Sequence, residues 1–152
     1  MELRWASGGV ISADGVEVAR AERSWFRERA EVQIGPATWH YRSDGGWTRS
    51  RLVGELDGVV RMRATRSGAF SSRWTVDTGS GQVELASAGW FGSRLTVARA
   101  GAGAGAVIGE GRPAGSFSTR PRLTLGEPVS TQAACFLLWV VHVELSRRQA
   151  SS

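Results

Sequence analysis

The chain has 152 residues, 19 basic and 14 acidic side chains, a formal net charge of +5 at neutral pH and a single cysteine. That length suffices for one domain with its own core, without metal or disulfide staples, and a lone Cys135 excludes any internal disulfide. All 19 basic residues are arginine and Asn is missing, the pattern of a GC-rich coding sequence, so the charge has two candidate origins. Codon usage scatters arginines, whereas an anion-binding surface gathers them. The opening MELRWASGGVISADG has no basic stretch followed by an apolar one, so a secretory signal is not expected and a cytoplasmic protein is.

Asp14-Gly15, Asp44-Gly45-Gly46, Asp57-Gly58 and Thr78-Gly79-Ser80-Gly81 cut the first 125 residues into pieces of strand length, as in an all-β sandwich or barrel. Leu3 to Trp5, Val10 to Ser12 and Val16 to Arg20 open the chain as short strands. Ser24 to Ile34 alternates, with Phe26, Ala30, Val32 and Ile34 on one face and Trp25, Arg27, Arg29 and Glu31 on the other; a helix is the second reading there. After Gly35-Pro36, Trp39 and Tyr41 point one way and His40 and Arg42 the other, which makes His40 a solvated histidine.

Trp47 to Glu55 and Val59 to Ala64 read as a hairpin. Only a three-residue loop puts Leu52 and Leu56 on the face of Val60, Met62 and Ala64, and that register leaves Arg49, Arg51, Glu55, Arg61 and Arg63 outside. Phe70, Trp74 and Val76 then face inward with Arg73 outward, and Val83 and Leu85 are buried. Phe70-Ser71-Ser72-Arg73-Trp74-Thr75-Val76 recurs as Phe91-Gly92-Ser93-Arg94-Leu95-Thr96-Val97; two copies do not make a solenoid and are expected as equivalent strands of one sheet. Ala100 to Ala106, AGAGAGA, is a loop without a dinucleotide fingerprint, and Phe117, Thr119, Leu123 and Leu125 alternate as the last strand.

Val129 to Leu145, VSTQAACFLLWVVHVEL, is apolar all round, so a helix over about 129–147 must be enclosed. Three fates are open to it: core helix, C-terminal membrane anchor, or partner-binding helix. A span needs about 20 mostly apolar residues, and here Ser130, Thr131 and Gln132 enter the first turns and His142 and Glu144 the last. Core is therefore the expected fate. Pro128 suits the first turn, and Arg147 and Arg148 suit the negative end of the helix dipole.

These pieces predict a closed antiparallel β-barrel of about twelve strands around the hydrophobic C-terminal helix, in one domain covering residues 1–152. In element order, in the FSSRWTV segment and in the terminal ACFLLWVVHVEL helix, the chain resembles the tubby-like superfamily, which includes the LURP-one-related proteins and the phospholipid scramblases. The resemblance implies a twelve-stranded barrel around a C-terminal helix and phosphoinositide binding through basic residues, although no single binding residue transfers by motif. The Cys-rich and calcium-associated segments of the scramblases have no counterpart in the sequence.

Catalytic chemistry finds little to stand on. Cys135 and His142 are about 10 Å apart along a helix, too far for a nucleophile and its base. Two histidines and one cysteine do not make a zinc set, and no cofactor is expected. His142 and Glu144 are expected as polar residues at the barrel mouth, satisfied by backbone or water, with a ligand or proton site as the sharper reading. Trp25, Trp90 and Phe91 are candidates for stacking on a partner. The expected function is a non-enzymatic interaction module, peripheral at a membrane or bound to a protein, using Arg49, Arg51, Arg61, Arg63 and Arg73 on anionic headgroups. Binding of nucleic acid by the same arginines, and membrane anchoring by the helix, are the alternatives.

Overall fold

The computed structural model describes residues 1–23, 28–44, 46, 49–67, 73–87, 94–101, 106–115 and 120–150. Twelve strands precede one helix: β1 Glu2–Trp5, β2 Val10–Ala13, β3 Val16–Arg23, β4 Arg29–Ile34, β5 Ala37–Ser43, β6 Arg51–Leu56, β7 Val59–Arg66, β8 Trp74–Asp77, β9 Gln82–Ser87, β10 Leu95–Arg99, β11 Val107–Pro113, β12 Pro121–Leu125 and α1 Thr131–Ala150. Each strand pairs antiparallel with its sequence neighbour, and β1 pairs with β12 to close the barrel. At that seam Leu3 stands opposite Leu123, the Met1 amine donates to the Leu125 carbonyl at 2.8 Å, and the Leu125 amide donates to the Met1 carbonyl. Closure removes the unpaired edges that an open sheet of this size would present.

The alternation seen in the sequence is the alternation of the barrel wall. Ala30, Val32, Ile34, Trp39, Tyr41, Trp74, Val76, Leu85, Leu123 and Leu125 are buried, while Arg29, Glu31 and His40 are exposed. The described parts of the repeated segments are strands β8 and β10 of one sheet, with β9 between them: Trp74, Val76, Leu95 and Val97 all face inward, but Trp74 and Val97 both stand opposite Leu85, so the two copies are offset by two residues. Phe26, Phe70, Phe117 and Thr119, also assigned to strand faces, lie outside the described residues.

Two local expectations need correction. The β6–β7 loop has two residues, Asp57 and Gly58, both at positive φ (54° and 76°), as a tight turn matched to the strand twist requires. The third residue sits in the strand instead: a bulge between Gly54/Glu55 and Val60/Met62 shifts the register, so Leu52 still faces Ala64 and Gly54 faces Met62. The inward set is recovered by a bulge rather than by a longer loop. The helix, in turn, begins at Thr131, so Pro128 precedes it; the Ser130 hydroxyl caps the first turn by accepting the Ala133 amide at 3.2 Å.

Helix α1 fills the barrel. Ala133 to Val141 are buried without a break, as are Val143, Glu144 and Leu145. Phe136, Trp139 and Tyr41 form an aromatic cluster with centroids 5.3 to 6.0 Å apart. On β11 the wall leaves no room for a side chain facing the helix at Gly111: a Cβ there would meet Val141 Cγ2 at 2.7 Å. Val141 is fully buried and stiff at χ1. Gly111→Ala is therefore expected to cost about 1–3 kcal/mol by overpacking, read as a fall in the urea midpoint at unchanged m-value. An unchanged midpoint would mean that the helix shifts freely within the wall.

Candidate functional site

Antiparallel strands put every second connection at the same end. The turns after β2, β4, β6 and β8 and the link after β10 lie at one end, with Met1 and the start of α1. The longer connections after β3, β5, β7, β9 and β11 lie at the other, where α1 ends. These are called the turn end and the loop end below.

At the loop end, the last turns of α1 meet the wall through charged groups. Glu144, 1% exposed, accepts from Trp74 Nε1 at 3.3 Å and from Arg148 Nε at 3.4 Å. Arg147 grips Glu28 with Nε and Nη2, at 2.6 and 3.0 Å, and its guanidinium lies 5.3 Å from the Trp74 ring centroid. Such a bidentate pair holds both position and plane. His142 is half-buried against Trp5, ring centroids 5.3 Å apart. Both polar helix residues thus stand at the loop-end mouth, where Trp74, Arg148 and Trp5 engage them.

The arginines expected on the β6–β8 surface are not one patch. Arg51, Arg61 and Arg63 are exposed, and Arg51 and Arg63 are on neighbouring strands, opposite Thr65 and Val53. Arg63 also stands opposite Asp77 of β8. Arg49, just before β6, turns towards the mouth and lies 3.4 Å from Glu28; Arg73, just before β8, lies 4.0 Å from Glu84. Trp25, Trp90 and Phe91 lie outside the described residues.

The arginines are instead ordered along the barrel axis. Arg29, Arg51 and Arg66 are terminal residues of their strands at the loop end, Arg42, Arg112 and Arg122 are one residue in, and Arg73, Arg94 and Arg120 stand just outside theirs. Arg147 and Arg148 add to them from α1. The turn end carries Glu2, Asp14, Glu17, Asp57, Asp77 and Glu127, with Arg99. Among the described residues the loop end is mainly basic, with Glu22, Glu28, Asp44 and Glu144 set among its arginines, and the turn end is mainly acidic. No single element carries this ordering, so only the barrel topology assembles it.

Two other features bear on chemistry. An open groove of about 590 Å³ runs over the outside of β3–β6, where Glu22, Glu31, His40 and Glu55 stand opposite one another across four strands. Arg42 already engages Glu55, Nη2 to Oε1 at 2.5 Å. Among the described residues no group of three His, Cys, Asp or Glu side chains could hold a metal ion. Inside the barrel, burial pushes the Cys135 thiol up to about 12 and raises the Tyr41 hydroxyl well above its ordinary value, with Cys135 beside it acting in the same direction. A buried thiol of this kind is a hydrophobe, not a nucleophile.

That burial has a consequence in alkali. In the unfolded chain the thiol ionises near pH 8.5 and the phenol near pH 10, while in the fold both stay protonated. The unfolded state therefore binds fewer protons as pH rises, and stability, complete below about pH 8.5, falls by about 1.4 kcal/mol per pH unit for each group involved. Urea midpoints from pH 7 to 11 should decline from about pH 8.5, and Cys135→Ala should delay the decline until tyrosine ionises. An equal decline in both proteins would refute it.

The sequence matches no protein-family model and no curated protein, and the fold matches no solved structure.

Proposed function

We propose that the chain is a non-enzymatic interaction module that docks its loop end on an anionic lipid surface, with the arginine collar against the headgroups. The observation that carries this reading is the axial ordering of the arginines, which codon usage does not produce. A barrel of twelve strands about 4.8 Å apart and tilted about 40° is roughly 24 Å across. A ring of charge on that circle meets a plane better than it meets a strand of nucleic acid, which asks for a groove. Near an anionic membrane each arginine contributes about 1 kcal/mol. Anchoring by the helix has no such support, since its apolar surface is spent inside the barrel and no described helix is long and apolar enough to cross a membrane.

Sedimentation with phosphatidylserine vesicles tests the reading. Binding should fall with added salt and be absent on neutral vesicles. Changing the exposed collar residues Arg29, Arg51 and Arg73 to Gln should weaken it about 100-fold at unchanged melting temperature, because exposed charges add little stability. The Arg61→Gln, Arg63→Gln double variant, altered farther down the wall, should bind like the parent. Equal binding to neutral vesicles, or tighter binding to an oligonucleotide at matched ionic strength, would sink the lipid reading; loss in the Arg61/Arg63 variant alone would move the contact to the β6–β7 face.

A further inference from the structure

Across the seam of the barrel, arginines stand directly opposite one another. Arg4 of β1 is in register with Arg122 of β12, and Arg122 is in register with Arg112 of β11. Like charges placed opposite on adjacent strands repel and destabilise a sheet, so three in a rung is an arrangement that folding alone disfavours. Arg94, just before β10, approaches the same group through Glu110. On the other side the rung continues into Ser12 of β2, opposite Arg4.

The carboxylates nearby do not saturate this rung. Glu2 accepts from Arg4 Nε at 2.6 Å, but lies 3.7 Å from Arg122. Glu110 is 3.7 Å from Arg94 and 3.9 Å from Arg112. Contacts that long are attractions between charges, not hydrogen bonds. Arg122 is the most enclosed of the three, 19% exposed at its side chain against 54% for Arg4 and 49% for Arg112. Its Nε is buried and has no hydrogen-bond acceptor in the structure. The hydrogen bond from Arg4, with Arg122 and Arg112 adding to it, holds the Glu2 carboxyl below its usual range against a smaller opposing effect of desolvation.

The geometry points to a phosphate-class oxyanion site on this rung, with Arg122 at its centre and Arg4 and Arg112 as flanking donors. Each guanidinium offers planar N–H donors that fit phosphate oxygens in pairs. Neighbouring strands place the three side chains about 4.8 Å apart, close enough for one tetrahedral anion to engage two of them. The bound anion turns the repulsion within the rung into attraction. Ligands of the class are phosphate itself and phosphate monoesters, free or at the head of a lipid. The inference rests on strand register, not on the docking proposed above, and either can fail without the other.

The test is a titration of the full chain with inorganic phosphate and, separately, phenyl phosphate at low ionic strength, reading the arginine Nε–H signals. The expected result is a saturable shift of Arg122 shared by Arg4 and Arg112, with Arg51 unmoved. Arg122→Gln should lower the affinity tenfold or more; Arg112→Gln, at a more exposed position, should lower it several-fold and serves if the first variant folds poorly. Phosphate should also raise the melting temperature of the parent but not of Arg122→Gln. Stronger binding of the monoester than of phosphate, or of phosphatidic-acid than of phosphatidylserine vesicles through Arg122, identifies the source of the phosphate and upholds the site. A linear shift of equal size at Arg51 and Arg122 is charge screening and overturns it, and so does undiminished binding by both variants.

Discussion

A chain ending before Thr131 is expected to show no cooperative unfolding transition. The deletion does not trim a tail. It removes Phe136, Leu137, Leu138, Trp139, Val140 and Val141 from the middle of the barrel, and leaves Leu3, Trp74, Leu85, Leu95, Val97 and Leu123 facing an empty interior. Emptying the space of one leucine or aromatic side chain costs about 2–5 kcal/mol, and the whole stability of a domain is about 5–15 kcal/mol. Loss of a few of these contacts already exceeds it. Near-ultraviolet circular dichroism and a thermal scan of residues 1–130 are the measurements, and a sharp transition with native aromatic signals would show that the wall stands without its filling.

Glu144→Ala is expected to lower stability by about 3 kcal/mol, and Glu144→Gln by markedly less. The carboxylate is enclosed, and it is the acceptor for both Trp74 Nε1 and Arg148 Nε. Alanine leaves a buried indole N–H without the carboxylate it donates to and takes one carboxylate from Arg148, the kind of loss that costs about 3–5 kcal/mol when the pair is fully buried; Arg148, about a quarter exposed, recovers part of its hydration. Glutamine keeps an oxygen for the indole and fills the same space. For a chain of this size each kcal/mol shifts the melting temperature by about 2–4 °C, so the two variants should separate clearly. Equal destabilisation would mean that volume and not polarity matters at that position.

Much of this fold is readable from the residues because most strands have one wet face, β6 with Leu52, Val53 and Gly54 all buried being the exception. Val32, Trp39, Tyr41 and Met62 alternate with polar neighbours, and the period of two assigns their side of the wall without knowledge of their partners. The all-round apolar stretch from Ala133 to Val141 likewise forces enclosure. The bulge beside Gly54 escaped, since a residue added in the loop and one added in the strand restore the same parity. The position of Pro128 misled because it fits the approach to a helix as well as its first turn. The candidate sites were legible only in part. That Arg51 and Arg63 point outward follows from alternation, but that Arg49 turns to Glu28 depends on a positive φ, 49°, in a connection with no periodic pattern. The rung of Arg4, Arg122 and Arg112 is farther still from view, because it exists only where the first strand meets the last. Spacing within a segment carries no information about closure.

The position of the helix in the chain also dictates when the protein can fold. The seam joins Met1 to Leu125, residues 124 apart, and the segment that gives the barrel its interior comes after both. A growing chain therefore carries twelve strands whose inner faces have nothing to pack on until the last turns of the helix leave the ribosome. Closure of the barrel therefore waits for the helix and is dominated by distant pairings, which belong to the slow end of the range, milliseconds to seconds. Until the helix is in place, the apolar strands are open to each other and to other chains, the condition in which incomplete folds aggregate.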